Sequence, residues 1–196
     1  GHNPKLRNSK TNTVDEIIES PFYKKDKIRN HYNSIILNFK DNFSIEFRAY
    51  DEGVAYRFST NYKGEITIKN EIAEFNFDKD YKSYIPYVSP RKQDYGTDIE
   101  KQFLTSFEAS YTVDNLSNMY DERLSFLPIL VELDDNKKAV ITESDLEDYP
   151  GMFLMKSRDC NYSLEGVYAT APKTEIQGGH NMLQLLITER QEYIAK

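Results

Sequence analysis

Beyond residue 31 the chain is built from short runs in which apolar and polar positions alternate, each closed by two or three turn-forming residues. In the run 43–50, Phe43, Ile45, Phe47 and Ala49 alternate with Ser44, Glu46, Arg48 and Tyr50. A strand with one buried face shows this period of two, and here it predicts the apolar set on the core side. Runs 32–39, 43–50 and 53–60 are separated only by Lys40-Asp41-Asn42 and Asp51-Glu52. Such spacing predicts a meander of antiparallel hairpins. Further strands are predicted over 65–69, 71–77, 103–111, 127–133, 139–143, 152–155, 162–169 and 182–188. Residues 144–149 read as a turn, because Pro150-Gly151 follows them. About a dozen short strands with Asn, Asp, Gly and Pro between them predict an all-β sandwich rather than an α/β fold. Residues 1–27 are polar and, apart from 14–18, lack any period. They read as a tag remnant and N-terminal extension ahead of a sandwich over 28–196.

Composition narrows the chemistry. The 196 residues suffice for one large domain, and no stretch approaches the roughly 18 apolar residues of a membrane helix. The net charge of -7 disfavours nucleic acid and anionic membrane, which both need cationic contacts. A neutral sugar or a metal ion remains compatible with it. A single cysteine, Cys160, excludes an internal disulfide and reads as a small core or boundary residue. Gly1 and His2 read as the scar of a cleaved tag on a piece of a longer protein.

Self-contained catalytic motifs are absent: there is no GxSxG, HExxH, GxxxxGKT, CxxC or GxGxxG pattern. His31 reads as a boundary residue before a strand, and His180, after Gly178-Gly179, as a loop residue or a sugar contact. Tyr81, Tyr84, Tyr87 and Tyr95 gather around Pro86 and Pro90 in a predicted long loop. Flat aromatic faces stack on the C–H faces of sugars, so Tyr84 and Tyr87 are candidate carbohydrate contacts, with an ordinary sheet-face or interface role as the alternative. Glu143, Asp145, Glu147 and Asp148 form an acidic turn. Such a turn either sits solvated at the surface or aims a carboxylate at a hard cation, since Ca²⁺ takes carboxylate and carbonyl oxygens. Its spacing is not that of an EF-hand loop.

Four stretches make the sequence resemble a known family. Ile28-Arg29-Asn30-His31-Tyr32-Asn33 is followed by Phe47-Arg48-Ala49-Tyr50-Asp51-Glu52-Gly53-Val54-Ala55-Tyr56-Arg57-Phe58. Then comes Ile141-Thr142-Glu143-Ser144-Asp145-Leu146-Glu147-Asp148-Tyr149-Pro150-Gly151-Met152-Phe153-Leu154, and finally the run from Leu186 to Ala195. In content and order these resemble the N-terminal domain of glycoside hydrolase family 97.

That resemblance implies an all-β super-sandwich like that of galactose mutarotase, truncated at both ends and packed on a catalytic (β/α)₈ barrel of the same polypeptide. It implies a calcium-dependent α-glycosidase acting on α-glucosides or α-galactosides, found in the periplasm of Bacteroidetes. The two carboxylates that cleave the glycosidic bond would lie on the barrel. The isolated chain is therefore expected to be inactive and to have no catalytic residue of its own. By motif match Glu143 is the one calcium ligand this domain contributes to the full-length enzyme. Alone it offers at most two of the six to eight oxygens the ion takes, so tight binding by the chain itself is not expected. Two rival readings stand beside this one. The first is a stand-alone carbohydrate-binding domain using Tyr84, Tyr87 and His180 on α-linked oligosaccharides. The second is a mutarotase-like enzyme, for which only His31 and His180 are at hand.

Overall fold

A computed structural model describes residues 3–63, 65–68, 71–88, 99–103, 110–144, 146, 151–168, 174–177 and 183–187. Its elements are nearly all strands. In chain order they are β1 (Leu6–Glu19), β2 (Lys27–Phe39), β3 (Phe43–Tyr50), β4 (Gly53–Thr60), β5 (Glu65–Ile68), β6 (Glu74–Asn76) and β7 (Lys82–Ile85). A single helical turn, α1 (Ile99–Gln102), precedes β8 (Thr112–Asn115), β9 (Ile129–Glu132), β10 (Lys138–Ser144), β11 (Phe153–Lys156), β12 (Ser163–Val167), β13 (Thr174–Gln177) and β14 (Leu183–Ile187). No helix among the described residues is long and apolar enough to cross a membrane.

The strands form a nine-stranded sheet in the order β1-β2-β3-β4-β14-β10-β9-β7-β8, a three-stranded sheet β11-β12-β6, and a β13-β5 pair. Neighbours β1 to β4 are joined in sequence by hairpins, and those linking β2, β3 and β4 are the ones the short turns predict. Asn42, in the β2–β3 turn, adopts φ 59, a left-handed conformation that asparagine tolerates better than most residues.

One half of the large sheet is covered. Ile85, Ile129, Val131 and Ile141 from β7, β9 and β10 pack with Leu154 and Leu164 from β11 and β12, all fully buried. Ser125 ties the two layers further, its backbone bridging Tyr87 on one side and Leu154 on the other. Gly166 fits this closeness: a Cβ there would lie 2.9 Å from Met152 Sδ and 3.1 Å from Ala73 Cβ.

The other half, β1 to β4, is a wing that contributes nothing to either described core cluster. Register places Ile35 opposite Phe47, Phe47 opposite Tyr56, and Ala49 opposite Val54. These residues share one face, yet Ile35, Phe47 and Val54 remain 37%, 43% and 47% exposed. The opposite face buries charge instead. Glu46 accepts from Arg48 Nε at 2.8 Å and from Arg57 Nε at 2.6 Å, and the Arg48 guanidinium lies 4.7 Å over the Tyr32 ring.

Four sequence expectations change here. The alternation in β3 is real, but its buried member is Glu46, while Phe47 and Ala49 are exposed. Residues 1–27 are not a loose extension: Leu6–Glu19 is a strand paired along β2. With all but Val14 and Ile18 exposed, no burial imprints a period on its sequence. Cys160 is exposed, in the connection between β11 and β12, and not a core residue. The predicted loop around Tyr84 contains strand β7.

Candidate functional site

Strand β10 lies between β9 and β14, so alternation sends Ala139, Ile141 and Glu143 to its core face. Ala139 and Ile141 are buried, and Glu143, near the strand's end, carries a carboxylate along the same row to the rim of the core. Its Oε1 accepts the N–H of Met152 at 2.8 Å. Its Oε2 is buried and has no hydrogen-bond partner among the described residues. Burial pushes the Glu143 carboxyl up to about 7; the Met152 N–H opposes that rise and the Glu71 charge adds to it. A buried acceptor left unsatisfied costs on the order of 1–3 kcal/mol, more when charged. A cation would supply the missing partner.

Two further residues lie on the same side of the sheet as this carboxylate. Tyr56 in β4 is in register with Gln184 of β14, which is in register with Glu143. Tyr56 and Glu143 therefore face the same side, two strand spacings or about 10 Å apart. The Tyr56 hydroxyl donates to Glu71 Oε1 at 3.3 Å. Glu71 belongs to the other layer: two residues on, the Ala73 carbonyl accepts the Gly166 N–H of β12 at 2.8 Å. Burial first, and then Glu71, raise the Tyr56 hydroxyl well above its usual pKa. Tyr56 falls in a block that carries the family resemblance, and Glu71 falls in none. Glu71 belongs to the predicted strand 71–77 and Tyr56 to an ordinary alternating run, and only the cross-strand register brings them toward Glu143.

The described tyrosines, Tyr81, Tyr84 and Tyr87, do not share one open face. Tyr87 is 1% exposed, stacks on Tyr120 with ring centroids 4.6 Å apart, and accepts the Tyr120 N–H on its hydroxyl. No face of that ring is open to a sugar. Tyr84 sits on the outer face of β7, where its hydroxyl donates to Glu132 Oε1 at 2.9 Å and Lys82 Nζ lies 5.2 Å over its ring. Tyr81 donates to Asp78. The pleat thus separates residues that proximity in sequence grouped together. Tyr95, His180, Asp145, Glu147 and Asp148 lie outside the described residues. His31 lies 3.8 Å from Asp51 Oδ2, at the exposed β3–β4 turn. Among the described residues no group of three or more His, Cys, Asp or Glu forms a metal cluster.

Comparison with known proteins gives this arrangement its context. The family model described as Glycosyl-hydrolase 97 N-terminal matches residues 1–183. A retaining alpha-galactosidase of Bacteroides thetaiotaomicron is 44% identical over 196 residues, which is 100% of this chain and 29% of the relative. Among solved structures, a glycoside hydrolase family 97 enzyme of Pseudoalteromonas sp. strain K8, in complex with acarbose, matches with a TM-score of 0.71 at 18% identity. That match covers 94% of this chain and 28% of the other. A beta-arabinopyranosidase matches with a TM-score of 0.77 at 16% identity, over 95% of this chain and 32% of that one. These structural likenesses speak for the fold, and the chain spans less than a third of each relative. Matched along nearly its whole length by sequence and by fold, the chain belongs to glycoside hydrolase family 97 as its N-terminal all-β sandwich domain.

Proposed function

We propose that this domain is the non-catalytic partner of a glycoside hydrolase barrel in the same polypeptide, and that it donates Glu143 as one calcium ligand at their junction. The observation that carries this reading is Glu143 Oε2, a buried carboxylate oxygen with no hydrogen-bond partner among the described residues. A hard cation takes such an oxygen, and the Met152 N–H on Oε1 holds the carboxylate in one orientation. Calcium would supply positive charge to the active site, while this chain's part is to fix one ligand. The open apolar row Ile35, Phe47 and Val54 supports packing against the remainder of a longer polypeptide.

In this reading the carboxylate pair that cleaves the bond comes from the barrel, and the isolated chain is inactive. The name of the relative at 44% identity favours α-galactosides over α-glucosides as substrates of the whole enzyme. A periplasmic location belongs to the same proposal and is tested by cell fractionation.

Calcium titration tests the core of it. The isolated chain should show no binding tighter than about 10⁻⁴ M, because one carboxylate cannot satisfy the ion. The full-length enzyme should bind calcium, and Glu143→Gln should weaken that binding. Micromolar affinity in the isolated chain, or unchanged affinity in the full-length variant, would sink the proposal.

A further inference from the structure

Glu143 is the ligand that the family motif singles out, but it is not the only carboxylate on this side of the sheet. Glu71 is 9% exposed, unusual for a glutamate, and it arrives from the opposite layer. Alternation around it is strict: Glu71 and Ala73 turn inward, while Ile72 between them is 85% exposed. The Ala73–Gly166 hydrogen bond pins that short segment to β12, and the Tyr56 hydroxyl holds the Glu71 carboxylate from the large sheet. The register Tyr56–Gln184–Glu143 puts the holder and the ligand on one face across three strands. Glu71 is therefore suspended over the sheet between its two layers, on the side where Glu143 presents its unpartnered oxygen. The Glu71 charge acts on Glu143 with the sign of two carboxylates facing one space.

Like charges gathered beside a buried ligand oxygen cost stability until a dication occupies the space. Groups one step outside a metal's ligands orient and tune them, and their loss typically weakens binding 10–100-fold. We propose that Glu71, held by Tyr56, is a positioning carboxylate for the calcium site, adding negative charge behind Glu143 and fixing how the ion is met from the sandwich side. This rests on Glu143 being a calcium ligand, and it assigns a role to Glu71, outside the blocks that carry the resemblance, and to Tyr56, inside one of them.

The test uses the full-length enzyme, stripped of calcium with a chelator and titrated calorimetrically with Ca²⁺. Glu71→Gln keeps an oxygen for the Tyr56 hydroxyl and removes the charge. It should weaken calcium 10- to 100-fold. Tyr56→Phe keeps the charge and removes the tether, and should weaken it less, by about threefold. Melting of the chelated proteins separates this from a structural role: Glu71→Gln should melt no lower than wild type, since the amide oxygen keeps the Tyr56 hydrogen bond. Affinity within about twofold of wild type in Glu71→Gln overturns the inference, as does an affinity loss matched by a lower melting temperature of the chelated protein. Glu143→Gln is the control. If it also leaves calcium binding unchanged, the reading of Glu143 itself fails; if it alone weakens binding, only the role of Glu71 falls.

Discussion

Two glutamates on this sheet are both largely buried, and their surroundings are opposite. Glu46, in the wing, is gripped by Arg48 and Arg57 at 2.8 and 2.6 Å. Burial alone would raise its pKa, yet the hydrogen bonds and charges of the two arginines hold it below the ordinary carboxylate value. Glu143, at the rim of the covered half, has a backbone N–H on one oxygen and nothing described on the other, with Glu71 as its charged neighbour. Burial accordingly dominates and its pKa rises to about 7. Glu46 is a charge whose partners are already in place, so it reads as structure. Glu143 has one oxygen with no partner among the described residues, so it reads as a ligand. Burial by itself does not separate the two roles; the sign of the neighbours does.

That contrast, and the parallel one between the covered half and the wing, can be broken by substitution. The largest effect is expected in the core. Leu164→Ala should cost about 2–5 kcal/mol in denaturant unfolding, because the residue is fully buried between the two sheets. Phe47→Ala, on the open face, should cost under about 1 kcal/mol. Equal losses would mean that the wing is as well covered as the core. Glu46→Gln comes next, at about 2 kcal/mol, since it leaves two arginines facing a neutral amide. Gly166→Ala should cost about 1–3 kcal/mol through its contacts with Met152 and Ala73. Without calcium at neutral pH, Glu143→Gln should be neutral or slightly stabilising, opposite in sign to Glu46→Gln.

The smallest effect, and the sharpest in sign, is the pH dependence. Glu46 has a lowered pKa in the folded chain, so its contribution is present above about 4.5 and is lost as pH falls through the lowered value. Glu143 runs the other way: its folded pKa of about 7 lies above the ordinary 4.5, so stability declines as pH rises between them. Thermal melts of the calcium-free protein across pH 4 to 8 should therefore show a decline that Glu143→Gln flattens and Glu46→Gln does not (about 4 to 8 being the span over which these groups titrate). A decline unaffected by Glu143→Gln would assign it to another group.

Much of the architecture was legible in the sequence, and the exceptions share a cause. Short alternating runs with two- and three-residue turns correctly predicted the meander of β2, β3 and β4 and the all-β class. Alternation marks two faces but does not say which is buried, and in β3 the buried side chain is Glu46, held by Arg48 and Arg57. Strand β1 is invisible for the complementary reason, as a strand exposed on both faces has no pattern to show. Tyr84 and Tyr87 were misgrouped because nearby prolines suggested a loop where β7 runs, leaving Tyr84 outside and Tyr87 within the core. Glu143 stood out through its motif block, and the structure adds the unpartnered oxygen. Glu71 had no such signal, because its place depends on the packing of one sheet over another.

The claim that Glu143 is a ligand awaiting its ion is tested most directly by a crystal structure of the full-length enzyme grown with calcium. The account predicts a bound Ca²⁺ with Glu143 Oε2 about 2.3–2.6 Å away, the distance of a direct ligand. A bound calcium with Glu143 Oε2 turned instead to a protein hydrogen-bond donor would contradict it.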